Sequence, residues 1–129
     1  DAFHQGRWLV PADGFYEWVK LDGERMPYRI VMADGGPMTF AGLWEMNRAL
    51  DIESFAIVTT SANYTVRPLH DRMPVIVRPA DFARWLGPAA PPADLLVPAP
   101  DDALRLFRVS PKVNSSKADD PSCIKPLTS

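Results

Sequence analysis

The chain has 129 residues, 47% hydrophobic and 23% charged, with a formal net charge of −2 at pH 7. This allows one domain with a small core, and no apolar run approaches the ~20 residues of a membrane helix. The acidic balance excludes coating of nucleic acid by bulk electrostatics, though not a local basic groove, and the single Cys123 excludes an internal disulfide framework and fits a reducing compartment.

The sequence opens on Asp1-Ala2-Phe3-His4, with no initiator methionine and no leader pattern, as expected of a processed chain or of part of a longer one. Residues 7 to 20 alternate as a strand does, with a kink expected at Pro11-Ala12-Asp13-Gly14. From Phe15 to Lys20 one face carries Phe15, Glu17 and Val19, and the other Tyr16, Trp18 and Lys20. Leu21-Asp22-Gly23-Glu24 turns the chain into a second strand, Pro27 to Ala33. Asp34-Gly35-Gly36 reads as a hairpin turn rather than a phosphate loop. Met38 to Trp44 follows as a third strand, where Ala41 and Gly42 permit close packing. Asn47 to Asp51 is loop-like, and the apolar, β-branched run Phe55 to Thr60 predicts a central strand.

Ser61-Ala62-Asn63 is placed to cap a short helical turn leading to Leu69 and His70. Pro74 to Val77 reads as another buried strand. Pro79 to Leu86 is the clearest helix, with Phe82, Trp85 and Leu86 on one face and Gly87 ending it. The proline-rich stretch Pro88 to Asp102 is irregular, and Leu106 to Val109 is a last strand. Ser110 to Ser122 is polar, and Ile124 to Leu127 is placed to dock the tail. The sum is an α+β, strand-rich single domain with helices as appendages.

Two segments carry candidate chemistry. Leu69-His70-Asp71-Arg72-Met73-Pro74 sets an imidazole, the side chain suited to proton transfer at neutral pH, beside a guanidinium suited to phosphate. Arg67, Arg78 and Arg84 lie close by in sequence. In Pro11 to Trp18 a lone acid, Glu17, sits among aromatic residues. If its face is inside, desolvation raises its pKa and makes it a usable general acid or base; if the strand is an edge, the acid meets water. The alternative for His70 is a rim histidine bonded to backbone, and Asp71 is a poor orienting partner because successive side chains diverge. Thr59, Thr60, Ser61 and Ser110 lie outside any nucleophile elbow. Trp18 and Trp44 are either core residues or stacking platforms. No His or Cys spacing fits a metal site, and no cofactor is implied.

Several segments together resemble the SOS response-associated peptidase (SRAP) family. They are Pro11 to Trp18, Phe40-Ala41-Gly42-Leu43-Trp44-Glu45, Ile57 to Asn63, His70 to Pro74, Val109-Ser110-Pro111-Lys112-Val113-Asn114 and Cys123-Ile124-Lys125-Pro126. The resemblance implies a barrel-like mixed sheet and action as a monomer on single-stranded DNA bearing abasic sites, in the bacterial cytoplasm at the nucleoid. It implies catalytic roles for Glu17 and His70, DNA-binding roles for Arg72, Thr59 and Trp18, and no metal. In the family an N-terminal cysteine condenses with the ring-opened sugar to a thiazolidine, and the same residue serves an autoproteolytic activity. The family's opening Met-Cys-Gly-Arg and its asparagine segments have no counterpart in this sequence. Residues 1–129 therefore look like the C-terminal two-thirds of one such domain. The alternative is a non-catalytic strand-rich binding or interaction module, with Glu17 and His70 structural.

Overall fold

The computed structural model describes residues 6–89, 92–114 and 126. His4, Cys123 and the docking expected of the tail lie outside the described residues. Eight strands are present: β1 (Arg7–Ala12), β2 (Phe15–Leu21), β3 (Glu24–Met32), β4 (Met38–Asn47), β5 (Ile52–Ile57), β6 (Thr59–Ser61), β7 (Arg72–Pro74) and β8 (Leu104–Arg108). They form two open three-stranded sheets, β1–β4–β5 and β2–β3–β8, and a β6–β7 pair. Every described ladder is antiparallel. One five-residue helix, α1 (Phe82–Leu86), and short 3₁₀ turns lie at the periphery, so the fold is strand-rich with small helical appendages, as expected.

Turn chemistry explains the chain's path. Asp22 and Gly23 have φ of 51° and 81°, the positive values that a two-residue hairpin turn demands, and they fix Leu21 opposite Glu24. The kink at Asp13-Gly14 is a full change of sheet: β1 pairs with β4, whereas β2 pairs with β3. A Cβ on Gly14 would lie 2.5 Å from the Ile30 carbonyl oxygen, so only glycine passes there. Asp34-Gly35-Gly36 is not a hairpin turn. Ala33 N–H is taken by the Ala103 carbonyl and β4 pairs elsewhere, so the turn carries the chain between sheets.

β4 holds the two cores. Met38 and Phe40 point into a cluster with Ile30, Val66, Met73 and Leu104. Ala41 and Leu43 point into a second cluster with Val75, Val77 and Trp85. The central strand expected over Phe55 to Thr60 is broken. β5 ends at Ile57, β6 begins at Thr59, and all of β5 is exposed as an edge. The break lies at Val58, which donates to the Ala41 carbonyl, while Val75 and Val77 occupy the next positions beside β4. The buried strand expected over Pro74 to Val77 is consequently displaced: regular pairing covers Arg72–Pro74, and Ile76 makes a single bridge to Phe40.

The expected helix is also shorter than its pattern. Pro79–Asp81 is 3₁₀, and only Phe82–Leu86 is α-helical. Trp85 is fully buried and donates its indole N–H to the Trp8 carbonyl at 2.6 Å, but Leu86 is 52% exposed. With so short a helix only one turn meets the sheet, and Leu86 stays half exposed. Trp85→Ala is expected to cost ~3–5 kcal/mol, whereas Leu86→Ala should stay within about 0.5 kcal/mol. Urea denaturation of both variants checks this, and equal effects would show that α1 packs otherwise.

Candidate active site

Glu17 sits on the inward face of β2, between Phe15, which stacks edge-on against Phe40, and Val19. β2 is an edge strand, yet Glu17 is half-buried, so both sequence-based alternatives are partly realised. Burial pushes the Glu17 carboxyl above its ordinary value, and the charge of His70 pulls it partly back. The imidazole thus acts electrostatically on a carboxyl 53 positions away in sequence. Packing accounts for this: Phe15, beside Glu17, and Leu69, beside His70, rest on the same cluster of Ile30, Phe40, Val66 and Met73.

His70 is held by the backbone around it. The segment from Tyr64 to Leu69 is a series of turns rather than a helix, stapled by Asn63. The buried Asn63 side chain accepts from Val66 N–H at 3.0 Å and donates to the Ala99 carbonyl at 2.9 Å. This fixes the loop against the proline-rich stretch. The His70 N–H then donates to the Val66 carbonyl at 3.1 Å. His70 Nδ1 lies 3.1 Å from both the N and the O of Arg72, so it has a backbone partner whether or not it carries a proton. Asp71 comes within 3.6 Å of the same nitrogen, too far for a hydrogen bond, and its side chain is 91% exposed. No local triad forms.

Arg72 is placed by the β6–β7 pair. Its Nη2 donates to the Thr59 carbonyl at 3.0 Å and to Thr59 Oγ1 at 3.1 Å. Both partners are neutral, so the guanidinium keeps its full charge while its direction is fixed. Arg78 and Arg84 are different. They pair with Asp81, and Arg84 pairs also with Asp94, whose carboxyl it holds below the usual range. Arg67 lies over the Tyr64 ring at 4.7 Å. Of these four arginines, Arg72 is the one beside His70 with no ionic partner among the described residues. Trp18 points to the other face of β2, where it packs with Tyr16 and under Arg25. It therefore lies around the sheet edge from Glu17.

One group escaped the sequence reading. Glu17, Tyr28 and Arg108 stand side by side across β2, β3 and β8. Among the described residues Arg108 Nε is buried without a partner, and Nη2 meets the Met26 sulfur at 3.8 Å. Nothing local marks Arg108, because its neighbours come from strands far away in sequence. Among the described residues no cluster of His, Cys, Asp or Glu is assembled to hold a metal ion. The site's chemistry is thus that of one raised carboxyl, one imidazole and fixed cations: proton transfer next to an anionic ligand.

Comparison with known proteins identifies the family of the chain. The family model for SOS response associated peptidase (SRAP) matches residues 1–116. Abasic site processing protein YoqW of Bacillus subtilis is 35% identical over 127 residues, covering 92% of this chain and 57% of the relative. YoaM of the same organism, also called an abasic site processing protein, is 36% identical over 119 residues, covering 86% of this chain and 52% of the relative. This chain thus spans little more than half the length of these relatives. A crystal structure of a Bordetella bronchiseptica protein aligns at 32% identity with a TM-score of 0.70, covering 84% of this chain and 57% of that one. A Bacteroides thetaiotaomicron protein shares the fold at a TM-score of 0.81 and 23% identity, covering 98% of this chain and 59% of that one. By family match and by identity, the chain belongs to the SOS response associated peptidase (SRAP) family.

Proposed function

We propose that this chain processes abasic sites in single-stranded DNA, with Glu17 and His70 moving protons at the sugar and Arg72, Thr59 and Trp18 holding the strand. The observation that carries the reading is a half-buried carboxyl of raised pKa coupled to an imidazole, next to an arginine fixed by neutral partners. The names of the relatives, abasic site processing proteins, point the same way. Residues 1–129 are read as the C-terminal two-thirds of one SRAP domain, working as a monomer in the bacterial cytoplasm without a cofactor.

An abasic deoxyribose is a cyclic hemiacetal. Opening it requires a proton on the ring oxygen and loss of one from the anomeric hydroxyl. A carboxyl whose affinity for its proton burial has raised is suited to donate the first, and the imidazole to accept the second. The aldehyde so exposed condenses with a primary amine, releasing water, and a thiol then adds to the imine carbon to close a thiazolidine. That ring needs an amine and a thiol on adjacent carbons, which an N-terminal cysteine supplies. Cys123 has its nitrogen in a peptide bond and does not. The family's autopeptidase activity is assigned to the same terminal thiol.

Residues 1–129 alone are expected to form no heat-stable adduct with an abasic oligonucleotide on a denaturing gel. The domain extended upstream to an N-terminal cysteine is expected to form one, and Glu17→Gln in that protein should slow it by ~10² to 10⁴. A stable band from residues 1–129, or an unchanged rate for Glu17→Gln, sinks the mechanism.

Arg72→Ala should weaken single-stranded DNA binding for all sequences alike. It should also flatten the slope of log affinity against log salt by about 0.7, the value of one phosphate contact. Fluorescence anisotropy across a salt series reads this, and an unaltered slope would make Arg72 structural.

A pH dependence follows from Glu17. Because burial raises its pKa, the fold favours the protonated acid. That contribution is complete below the ordinary glutamate range and is lost as pH rises through the raised value. Glu17→Gln cannot ionise, so it should melt higher than the native chain at neutral pH and lose that advantage in acid. Thermal melts at both pH values test the sign.

A further inference from the structure

The outer face of the β2–β3–β8 sheet has a charge character unlike the chain as a whole. The register places Tyr16, Trp18 and Lys20 of β2 with Arg25 and Arg29 of β3 and Arg105 and Phe107 of β8, and no carboxylate falls on these positions. A chain of net charge −2 thus presents a sheet face whose ionisable ends are all cationic apart from Tyr16. Each guanidinium has a ring beside it. Arg25 lies 4.8 Å from the Trp18 centroid, Arg29 5.8 Å from Tyr16, and Arg105 5.7 Å from Phe107. Such rings hold the guanidinium planes in place, so less side-chain freedom is lost when an anion binds.

Arg29 is the most telling of them. It is only 9% exposed, yet no carboxylate pairs with it among the described residues. Its one hydrogen bond runs from Nη2 to the Asp13 carbonyl at 3.2 Å. Burying a guanidinium without a counter-charge is costly. Arg29 nevertheless borders an open cavity of about 500 Å³, which Arg105 flanks, Gly35 and Gly36 wall, and Asp13 rims as the sole acid. An anion in that cavity would meet two arginines at once.

We propose that this outer face is a second contact surface for single-stranded nucleic acid, with the Arg29–Arg105 cavity seating a phosphate group. The inference rests on the reading that the chain handles a DNA strand, and adds where that strand continues. β2 is the open edge of its sheet, so a strand leaving Glu17 passes over that edge and meets Trp18 and Tyr16 first. Nucleobases stack on rings and on guanidinium planes, and phosphates meet the cations between them. An acidic peptide would use the cations but leave the aromatic partners without a role, which is why nucleic acid fits better.

The test is fluorescence anisotropy with unmodified oligothymidylates, one short and one several times longer, against the native chain, Arg25→Glu/Arg105→Glu and Arg72→Ala. Both substituted arginines of the double variant are exposed, and circular dichroism verifies folding. If that variant does not fold, Arg105→Ala alone is used. The double variant should bind the long oligonucleotide at least ~10-fold more weakly with a shallower salt slope, and bind the short one as the native chain does. Arg72→Ala should weaken both. A double variant that binds the long oligonucleotide normally overturns the inference, and if Arg72→Ala still weakens binding, the reading of the Glu17 side survives. If only Arg72→Ala is silent, the outer face stands and that reading falls. Displacement of the long oligonucleotide by polyglutamate or inorganic phosphate at equal charge concentration would also overturn it, because the face would then be a site for acidic peptides or for free anions.

Discussion

Three backbone hydrogen bonds around Ala41 hold the molecule together. Ala41 N–H donates to Val75 at 3.0 Å, Val75 N–H to Val58 at 2.8 Å, and Val58 N–H to Ala41 at 2.9 Å. Ala41 and Val75 are fully buried, where an unpaired amide or carbonyl would cost free energy on the scale of a lost hydrogen bond. The closed triangle is how the chain satisfies these groups at the point where three segments meet. It forces β5 to end at Ile57 and seats residues 75–77 beside β4. The short β6–β7 pair follows, in which Arg72 lies opposite Ser61 and its side chain reaches diagonally to Thr59.

The candidate site therefore sits on a rim rather than in a core. Its acid comes from an edge strand, its imidazole from a loop, and its arginine from a three-residue strand. None of these elements is large enough to hold a side chain by packing alone. Direction is instead supplied by hydrogen bonds: Asn63 staples the loop, Arg72's backbone holds His70, and Thr59 holds Arg72. A carboxyl half-withdrawn from water beside an imidazole opposes stability at neutral pH, and the two apolar clusters on either side of β4 offset it.

β2 also divides two kinds of surface by simple alternation. Its odd residues look toward the cluster containing Ile30 and Phe40, its even residues toward an arginine-rich exterior. Glu17 and Trp18 are adjacent in sequence yet serve opposite faces, joined only around the open edge of the sheet. Low overall charge thus conceals strong local segregation. Arg78 and Arg84 pair with Asp81 and Asp94, whereas Arg72 bonds to the neutral Thr59 and Arg29 to the Asp13 carbonyl.

Local rules were enough for much of this. Asp22-Gly23 specified its turn, alternation from Phe15 to Lys20 assigned Glu17 and Trp18 to opposite faces, and the motifs around Glu17 and His70 marked the family. The same rules misplaced the strand over Phe55 to Thr60, the hairpin at Asp34-Gly35-Gly36 and the buried face of Leu86. In each case an apolar or turn-forming run was legible, but the partner was not, since a strand's burial depends on which distant strand lies beside it. By itself the sequence determined which residues alternate and where turns fall, because those follow from bonded geometry and nearest neighbours. Only the tertiary structure decided that the charge of His70 acts on Glu17, that Thr59 orients Arg72 and that Arg108 stands in the row of Glu17 and Tyr28, because burial, charge coupling and hydrogen bonding act through space across long stretches of chain.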